Sequence, residues 1–288
     1  MNVLLTGATG FIGRHLTQAL VAAGHRVVPA GRAQGADFAR LHAPDDWLPW
    51  LEGIDGVINA VGIIGETRGQ RFDALHTRAP LALFQACAHR GVRRVIQISA
   101  LGADATAFST YHLSKRQADD GLRRLDVDWF VLRPSLIYGP GGTSTEFFLR
   151  LAALPRIPVV AGGNQEIQPI HISDVVATVL ACLTATPARQ TLDLAGPETV
   201  TFAVWLHRLR AAQGLPATGY LSIPYPLARA VASLGRHFNP LLQPDNLRML
   251  VTGYRADPAP LARFLGRPAR AFSPNLLLTS NLPTGSSS

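Results

Sequence analysis

Lysine is almost missing from this chain: of its 27 lysine and arginine residues only Lys115 is a lysine. A general drift toward arginine explains the bias and makes the position that kept its lysine worth following. Cysteine is nearly as scarce. Cys87 and Cys182 both lie in apolar, helix-like stretches, which excludes a disulfide scaffold or a cysteine zinc site and predicts two buried small hydrophobes. The nine histidines include no HExxH or comparable spacing, so no metal site is expected. Long apolar runs are missing too. Among the uncharged stretches, residues 175–188 are too short to span a bilayer, and the tail from 271 is broken by Pro274 and Pro283. No signal peptide is expected, because MNVLLTG opens as a strand and reaches a glycine loop by Gly7. These absences predict a cytoplasmic protein. Its net charge of +8 leaves room for a peripheral place at the inner, anionic face of a membrane. The arginines are scattered, with no basic run interleaved with aromatics, which argues against a nucleic-acid partner.

With 47% apolar and 16% charged residues, the 288-residue chain is folded and has room for one large domain plus a smaller lobe. Its first half alternates strands and helices. A short apolar run at 2–6 precedes Phe11, Ile12, Leu16 and Leu20 at helical spacing, and Gly24 ends that pattern. Strands follow at 26–30, weakly near 35–38, and at 56–62. A helix over about 71–90 stops at Gly91. A strand at 93–99, a helix at about 110–125 and a strand at 128–134 complete the pattern. Continuous apolar strands separated by helices predict an α/β fold, a doubly wound Rossmann-type parallel sheet covered on both faces. After Pro134 the texture turns proline- and glycine-rich, with helices expected near 145–153, 173–185, 201–213 and 225–236. The expected division is a nucleotide-binding domain over 1–135 to which 172–196 returns, a small substrate lobe from 136–171 and 197–280, and a disordered tail at 281–288.

TGATGFIGRHL places Gly7, Gly10 and Gly13 between the first strand and the first helix. Glycine there permits the tight turn, the close approach of backbone to a pyrophosphate and tight packing of helix on strand. The helix N-terminus then offers free N–H groups and a positive dipole end to the anion. Strand, loop and amphipathic helix come in the required order within 24 residues, which makes the triplet a strong signal. After the second strand, where NAD-preferring proteins commonly carry an acid for the ribose hydroxyls, the chain has PAGR with Arg32. Arg32 and Arg14, the residue after the third glycine, are cations suited to a 2'-phosphate. The pair predicts NADP(H) over NAD(H). Asp37 and Phe38 are candidates for the edge and face of the adenine.

Tyr111 and Lys115 stand four apart in YHLSK at a predicted helix start, on one helical face. Five tyrosines define five such positions, so chance puts a lone lysine on one of them in roughly 2% of placements, a hypothesis-grade match. Chemistry gives a reason for keeping it: a compact ammonium near a phenol favours the phenolate, and a bulkier guanidinium does not fit the same geometry.

GATGFIG at 7–13, NAVG at 59–62, ISA at 98–100, YHLSK at 111–115, LRPSLIYGPG at 132–141 and HISDVV at 171–176 occur in an order that resembles the short-chain dehydrogenase/reductase superfamily, in its extended or atypical branch. The resemblance covers about the first 195 residues. It implies nucleotide contacts from Gly7, Thr9, Gly10, Phe11, Ile12 and Gly13, from Ala60, Val61 and Gly62, and from Pro134. Tyr111 would transfer the proton, and Lys115 would hold the ribose and tune Tyr111. Ser99 would be the third catalytic member, although twelve residues before Tyr111 is a shorter separation than extended members show. Arg133 and Tyr138 match the branch's strand-end motif and otherwise read as interlobe packing. His171 and Asp174 read as loop-orienting, and His112 as a surface residue.

Within the superfamily, NAVGI, ISALGA and LAGPE look most like the atypical group of the NADPH-binding accessory subunit of respiratory complex I and its bacterial relatives. The superfamily resemblance, through the intact YHLSK, implies an NADP(H)-dependent oxidoreductase acting on a small carbonyl or alcohol substrate, whereas the likeness to that subunit points to the first alternative. The first alternative is a non-catalytic nucleotide-binding accessory or assembly protein, linked to quinones or the respiratory chain. The second is a sugar-nucleotide epimerase or dehydratase.

Overall fold

The computed structural model describes residues 1–235 and 241–277, so the tail expected at 281–288 lies outside the described residues. The chain divides into two compact units, one of Met1–Pro134 with Val175–Asp193 and one of Ser135–Asp174 with the residues from Leu194 onward.

In the first unit, β1 (Asn2–Thr6), β2 (Arg26–Ala30), β3 (Gly56–Asn59), β4 (Arg94–Ile98), β5 (Asp128–Pro134) and β10 (Gln190–Leu194) form a sheet in the order β10-β5-β4-β3-β1-β2. The pairings of β1 with β2 and β3, and of β4 with β3 and β5, are parallel. Val3, Leu4, Leu5, Val57, Ile58, Val95 and Ile96 are wholly enclosed, as strands covered on both faces require. The chain runs outward from β1 to β2 and then returns to the other side of β1 for β3. That reversal is the switch point outside whose strand ends such sheets bind ligands.

The helices on this sheet are α1 (Phe11–Ala22), α2 (Pro44–Trp47), α3 (Ala79–Arg90), α4 (Thr110–Arg123) and α6 (Ile172–Cys182). α1 buries Leu16, Ala19 and Leu20. A wide π turn, Asp73–Arg78, leads directly into α3, and Gly91, at φ +73°, ends it in the left-handed conformation that glycine adopts without penalty. Ser109 caps α4 by accepting the His112 N–H at 3.1 Å. Cys87 on α3 and Cys182 on α6 are buried free thiols, as expected.

One strand is corrected. Residues 35–38 are not a strand: a 3-10 turn, Arg32–Gln34, follows β2, and β2 is the edge of the sheet. Phe38 leaves the edge to pack edge-on against Trp47, with ring centroids 5.1 Å apart.

The second unit contains β6 (Ile137–Tyr138), α5 (Thr143–Ala152), β7 (Ile157–Val160), β8 (Glu166–Ile167), β9 (Ile170–His171), β11 (Val200–Thr201), α7 (Phe202–Ala212), β12 (Tyr220–Ile223), α8 (Tyr225–Gly235), α9 (Pro244–Thr252) and α10 (Ala259–Leu265). Its strands pair two by two: β6 with β9 and β7 with β12 in parallel, β8 with β11 antiparallel. Tyr138, Trp205 and Phe272 form a ring cluster in its core, with His171 against Tyr138. No helix among the described residues is long and apolar enough to cross a membrane.

Arg210, buried in α7, donates to the carbonyls of Ala152 at 2.7 Å, Leu154 at 2.8 Å and Pro216 at 2.5 Å. It thereby satisfies acceptors left over at the end of α5 and ties them to the loop after α7. Arg210→Met, which keeps the apolar stem and strips the three carbonyls of their donor, should lower unfolding stability by about 2–4 kcal/mol, read from urea melts. An unchanged midpoint would show that water replaces the guanidinium at no cost.

Candidate functional site

The loop after β1 is shaped by two close approaches. Gly7 has φ +69°, and a Cβ on it would lie 2.7 Å from the Ala60 carbonyl oxygen; a Cβ on Gly13 would lie 2.0 Å from the Gly7 oxygen. Both are therefore sterically compelled to be glycine, whereas Gly10 meets nothing nearer than 3.2 Å. Gly10 starts α1 with no side-chain cap, so the first amides of the helix at Phe11, Ile12 and Gly13 are left for an external acceptor. Thr9 and Gly10 are exposed. The donor set and the glycine-walled cradle fit a dinucleotide pyrophosphate. Arg14 is exposed and folds back over the loop, donating to the Thr9 carbonyl at 2.8 Å. Arg32 is exposed at the turn after β2. Asp37 accepts the Ala39 N–H at 3.1 Å and pairs with Arg40 at 3.5 Å, while Phe38 is buried.

Beside the loop, the carboxyl ends of the strands carry a buried polar row. The Thr6 hydroxyl donates to Asn59 Oδ1 at 2.6 Å, and the Asn59 amide donates to Gln97 Oε1 at 2.7 Å, following the pairing of β1 with β3 and β3 with β4. Ala60 and Val61, just past β3, are half-buried and Gly62 is exposed.

Lys115, one turn beyond Tyr111 on α4, is 3% exposed. Its ammonium donates to the carbonyls of Val61 and Ile98, each at 3.0 Å, which ties the ends of β3 and β4 to the helix. Burial pulls its pKa down, and the Asp119 carboxylate one further turn along α4 opposes that shift. Asp119 is fully buried and accepts the Ser99 hydroxyl in a short hydrogen bond; burial pushes its pKa up, while Ser99 and Lys115 hold it down. Tyr111 is half-buried and its phenol is pushed up to about 12, by burial first and by Asp119 second. The lysine ammonium thus goes to backbone carbonyls, and the phenol is fully protonated at neutral pH.

His76 was not singled out from the sequence, yet it sits at this site. The π turn before α3 buries its ring, stacked on Phe72 with centroids 5.1 Å apart and met edge-on by Tyr111 at 5.5 Å. Nε2 accepts the Ile63 N–H at 3.0 Å, so in the neutral ring Nδ1 carries the proton and donates to Ser114 Oγ at 3.0 Å. Ser114 in turn donates to the Tyr111 carbonyl at 2.8 Å. Burial and the nearby lysine hold His76 well below the usual histidine value, so it stays neutral. A Cβ on Gly62 would lie 3.3 Å from the Lys115 ammonium and 3.8 Å from His76 Nε2, which places loop, lysine and histidine together.

His112 is a correction. It is buried, with Nδ1 3.1 Å from the Ser109 hydroxyl, and burial pushes its pKa down to about 4. Arg133 pairs with Asp193 through two contacts of 2.6 and 2.9 Å, joining β5 to β10. The Pro134 carbonyl accepts the Leu101 N–H at 2.9 Å. In the second unit His171 bonds to Ser173 and to the Leu276 carbonyl, and Asp174 pairs with Arg267 at 2.7 Å. No cluster of three or more His, Cys, Asp or Glu side chains placed to hold a metal ion occurs among the described residues.

Several known proteins are similar to this chain in sequence or in fold. Ceramide reductase of Caulobacter vibrioides is 30% identical over 190 residues, covering 62% of this chain and 60% of that protein. The mitochondrial NADH dehydrogenase [ubiquinone] 1 alpha subcomplex subunit 9 is 27% identical over 249 residues in Arabidopsis thaliana and 28% over 252 residues in Rattus norvegicus. Those matches cover 79% and 81% of this chain, and 61% and 65% of the respective relatives. The chain thus spans less than two thirds of the length of these relatives. Among solved structures, MoeE5 in complex with UDP-glucuronic acid and NAD superposes with a TM-score of 0.73 over 97% of both chains at 24% identity, a likeness of fold. The model of the NAD dependent epimerase/dehydratase family matches residues 3–195. The chain belongs to that family, within the extended short-chain dehydrogenase/reductases that its motifs resemble.

Proposed function

We propose that this protein is an NADP(H)-dependent oxidoreductase acting on a carbonyl or alcohol carbon. The observation that carries the reading is the face of α4 on which Tyr111 keeps a transferable proton one turn from Lys115, which is buried against the glycine-lined loop ends. The nicotinamide supplies a hydride donor or acceptor when bound. In reduction Tyr111 would give its proton to the carbonyl oxygen, and in oxidation its phenolate would take the proton from the alcohol. Lys115, held by the Val61 and Ile98 carbonyls, would turn its positive charge toward the ribose of a bound nucleotide. Arg32, assisted by Arg14, is assigned the 2'-phosphate.

The accessory-subunit reading is favoured by the subunit 9 relatives, which match more of the chain than ceramide reductase does. It entails association with a respiratory complex at a membrane and a Tyr111 that turns nothing over. An epimerase or dehydratase role would use the same nucleotide and leave it unchanged after each cycle.

Tyr111→Phe keeps the ring and removes the proton, so NADPH affinity should hold while turnover of an identified carbonyl substrate falls by roughly 100-fold or more. Equal turnover in the variant would remove Tyr111 as the proton donor, and failure of the natural protein to turn over any carbonyl or alcohol with NADPH bound would favour the accessory reading. The raised phenol value sets the sign of the pH dependence. The acid form is complete at neutral pH, so Tyr111 gives reduction no pH dependence from neutrality to mild alkali, and a decline there would follow loss of the Lys115 charge, whose pKa burial lowers to about 8. Oxidation needs the phenolate and should climb about tenfold per pH unit there. An oxidation profile that is flat over that range would remove Tyr111 as the base. For the nucleotide, Arg32→Ala deletes a charge-assisted contact and should weaken NADPH by roughly 10- to 150-fold in calorimetry, with NADH much less affected. Equal affinity of the natural protein for both nucleotides would contradict the assignment.

A further inference from the structure

α8 is built inside out. Its small residues Ala228 and Ala232 are buried, while Leu227, Val231 and Leu234 are 56%, 53% and 74% exposed. The three stand at i, i+4 and i+7, one stripe along the helix, and a helix that only had to pack on its own lobe would turn that stripe inward. The neighbourhood continues the surface. Tyr220 and Leu221 of β12, the strand leading into α8, are exposed, as is Val251 of α9, which packs against α8. Of the eleven large hydrophobic side chains exposed among the described residues, six fall within 220–251.

Charge decides what fits against it. Over 220–252 the sequence has three arginines, Arg229, Arg236 and Arg248, and a single carboxylate, Asp245. Arg229 is exposed on α8, next to the stripe, and Arg248 is exposed one turn before Val251. A second copy of the chain docking through the same patch in a two-fold arrangement would set these cations against themselves. An anionic headgroup layer offers the opposite charge over an apolar interior.

We propose that α8, with β12 and the end of α9, docks this lobe on the surface of an anionic phospholipid bilayer. The helix lies in the plane of the interface, its leucine and valine stripe among the upper acyl carbons and Arg229 at headgroup level. This surface is independent of the redox reading: a chain that turns nothing over still binds vesicles, and a chain that binds none can still be a reductase.

Flotation of the full chain with phosphatidylcholine vesicles, with and without phosphatidylglycerol, tests it. The natural protein should float with the anionic vesicles, less with phosphatidylcholine alone, and part of the binding should survive high salt, because the apolar share is not screened. The triple variant Leu227→Glu, Val231→Glu, Leu234→Glu should lose binding by at least about 10-fold while keeping its NADPH affinity and elution volume. Leu234→Glu alone, at the most exposed position, should lose several-fold, which guards against a fold defect in the triple variant. Arg229→Glu should remove the preference for phosphatidylglycerol. Absence of flotation with either vesicle, equal flotation of the triple variant, or a natural dimer that the triple variant turns into a monomer would each overturn the proposal. The last would assign the face to a second copy.

Discussion

The buried ammonium of Lys115 is the point on which the site depends. Taking such a charge out of water is costly unless it is compensated: the Val61 carbonyl after β3 and the Ile98 carbonyl at the end of β4 accept its hydrogen bonds, and the Asp119 carboxylate on α4 adds an opposite charge nearby. The same contacts fix the loop ends against the helix that carries Tyr111. A guanidinium, planar and forked, does not fit two carbonyls gathered around one compact ammonium, so arginine is no substitute here. That is a physical reason for one lysine in a chain that otherwise uses arginine.

The rest of the floor is built around that charge. Gly7 and Gly13 have no room for a side chain, so loop, β3 end and α1 pack at backbone distance. The row Thr6, Asn59 and Gln97 carries hydrogen bonds across three strands in a region otherwise filled by Val3, Leu4, Ile58 and Ile96. Buried polar groups in such a core are stable only when linked to one another, and linked they hold strand ends in register. His76 adds the lateral tie: through Ile63 on one side and Ser114 on the other, one neutral ring couples the loop after β3 to the start of α4.

What was legible in the sequence is what is local. The glycine triplet, the Tyr111–Lys115 spacing and the strand–helix alternation each depend on residues within a turn or a strand of one another. The strand expected near 35–38 failed because Ala36 and Phe38 alternate as a strand would, while the partner that claims Phe38 is Trp47, on a separate helix, and no further strand position exists beyond β2. His76 gave no signal, since a histidine on the apolar face of a helix looks ordinary and its partners lie 13 and 38 residues away. His112 was assigned to the surface from the helix wheel alone, which does not show the loop that covers it. Asp119 was within reach: Tyr111, Lys115 and Asp119 repeat every four residues along one face. The helices α9 and α10 went unseen because prolines, usual stop signals, stand at their first turns, where a missing N–H costs nothing.

Ser99 shows how burial redistributes a familiar set of groups. A serine hydroxyl has one proton, and here it goes to Asp119. While that carboxylate is charged, Ser99 cannot donate to a substrate oxygen without leaving a buried anion short of its partner, a loss comparable with that of any buried charged acceptor. Burial pushes both Asp119 and Lys115 toward their neutral forms, Ser99 and Lys115 oppose that shift at Asp119, and Asp119 opposes it at Lys115, so the states of carboxylate and ammonium are coupled. Tyr111 is reached by that coupling only through the Asp119 charge, which adds to burial in raising its pKa. Its proton has no partner in the triad to which it is owed, and its raised pKa keeps it in place until an acceptor arrives. In the proposed reaction the phenol is therefore the group that would carry the proton, while Lys115 and Ser99, engaged with backbone carbonyls and with Asp119, hold the structure beneath it.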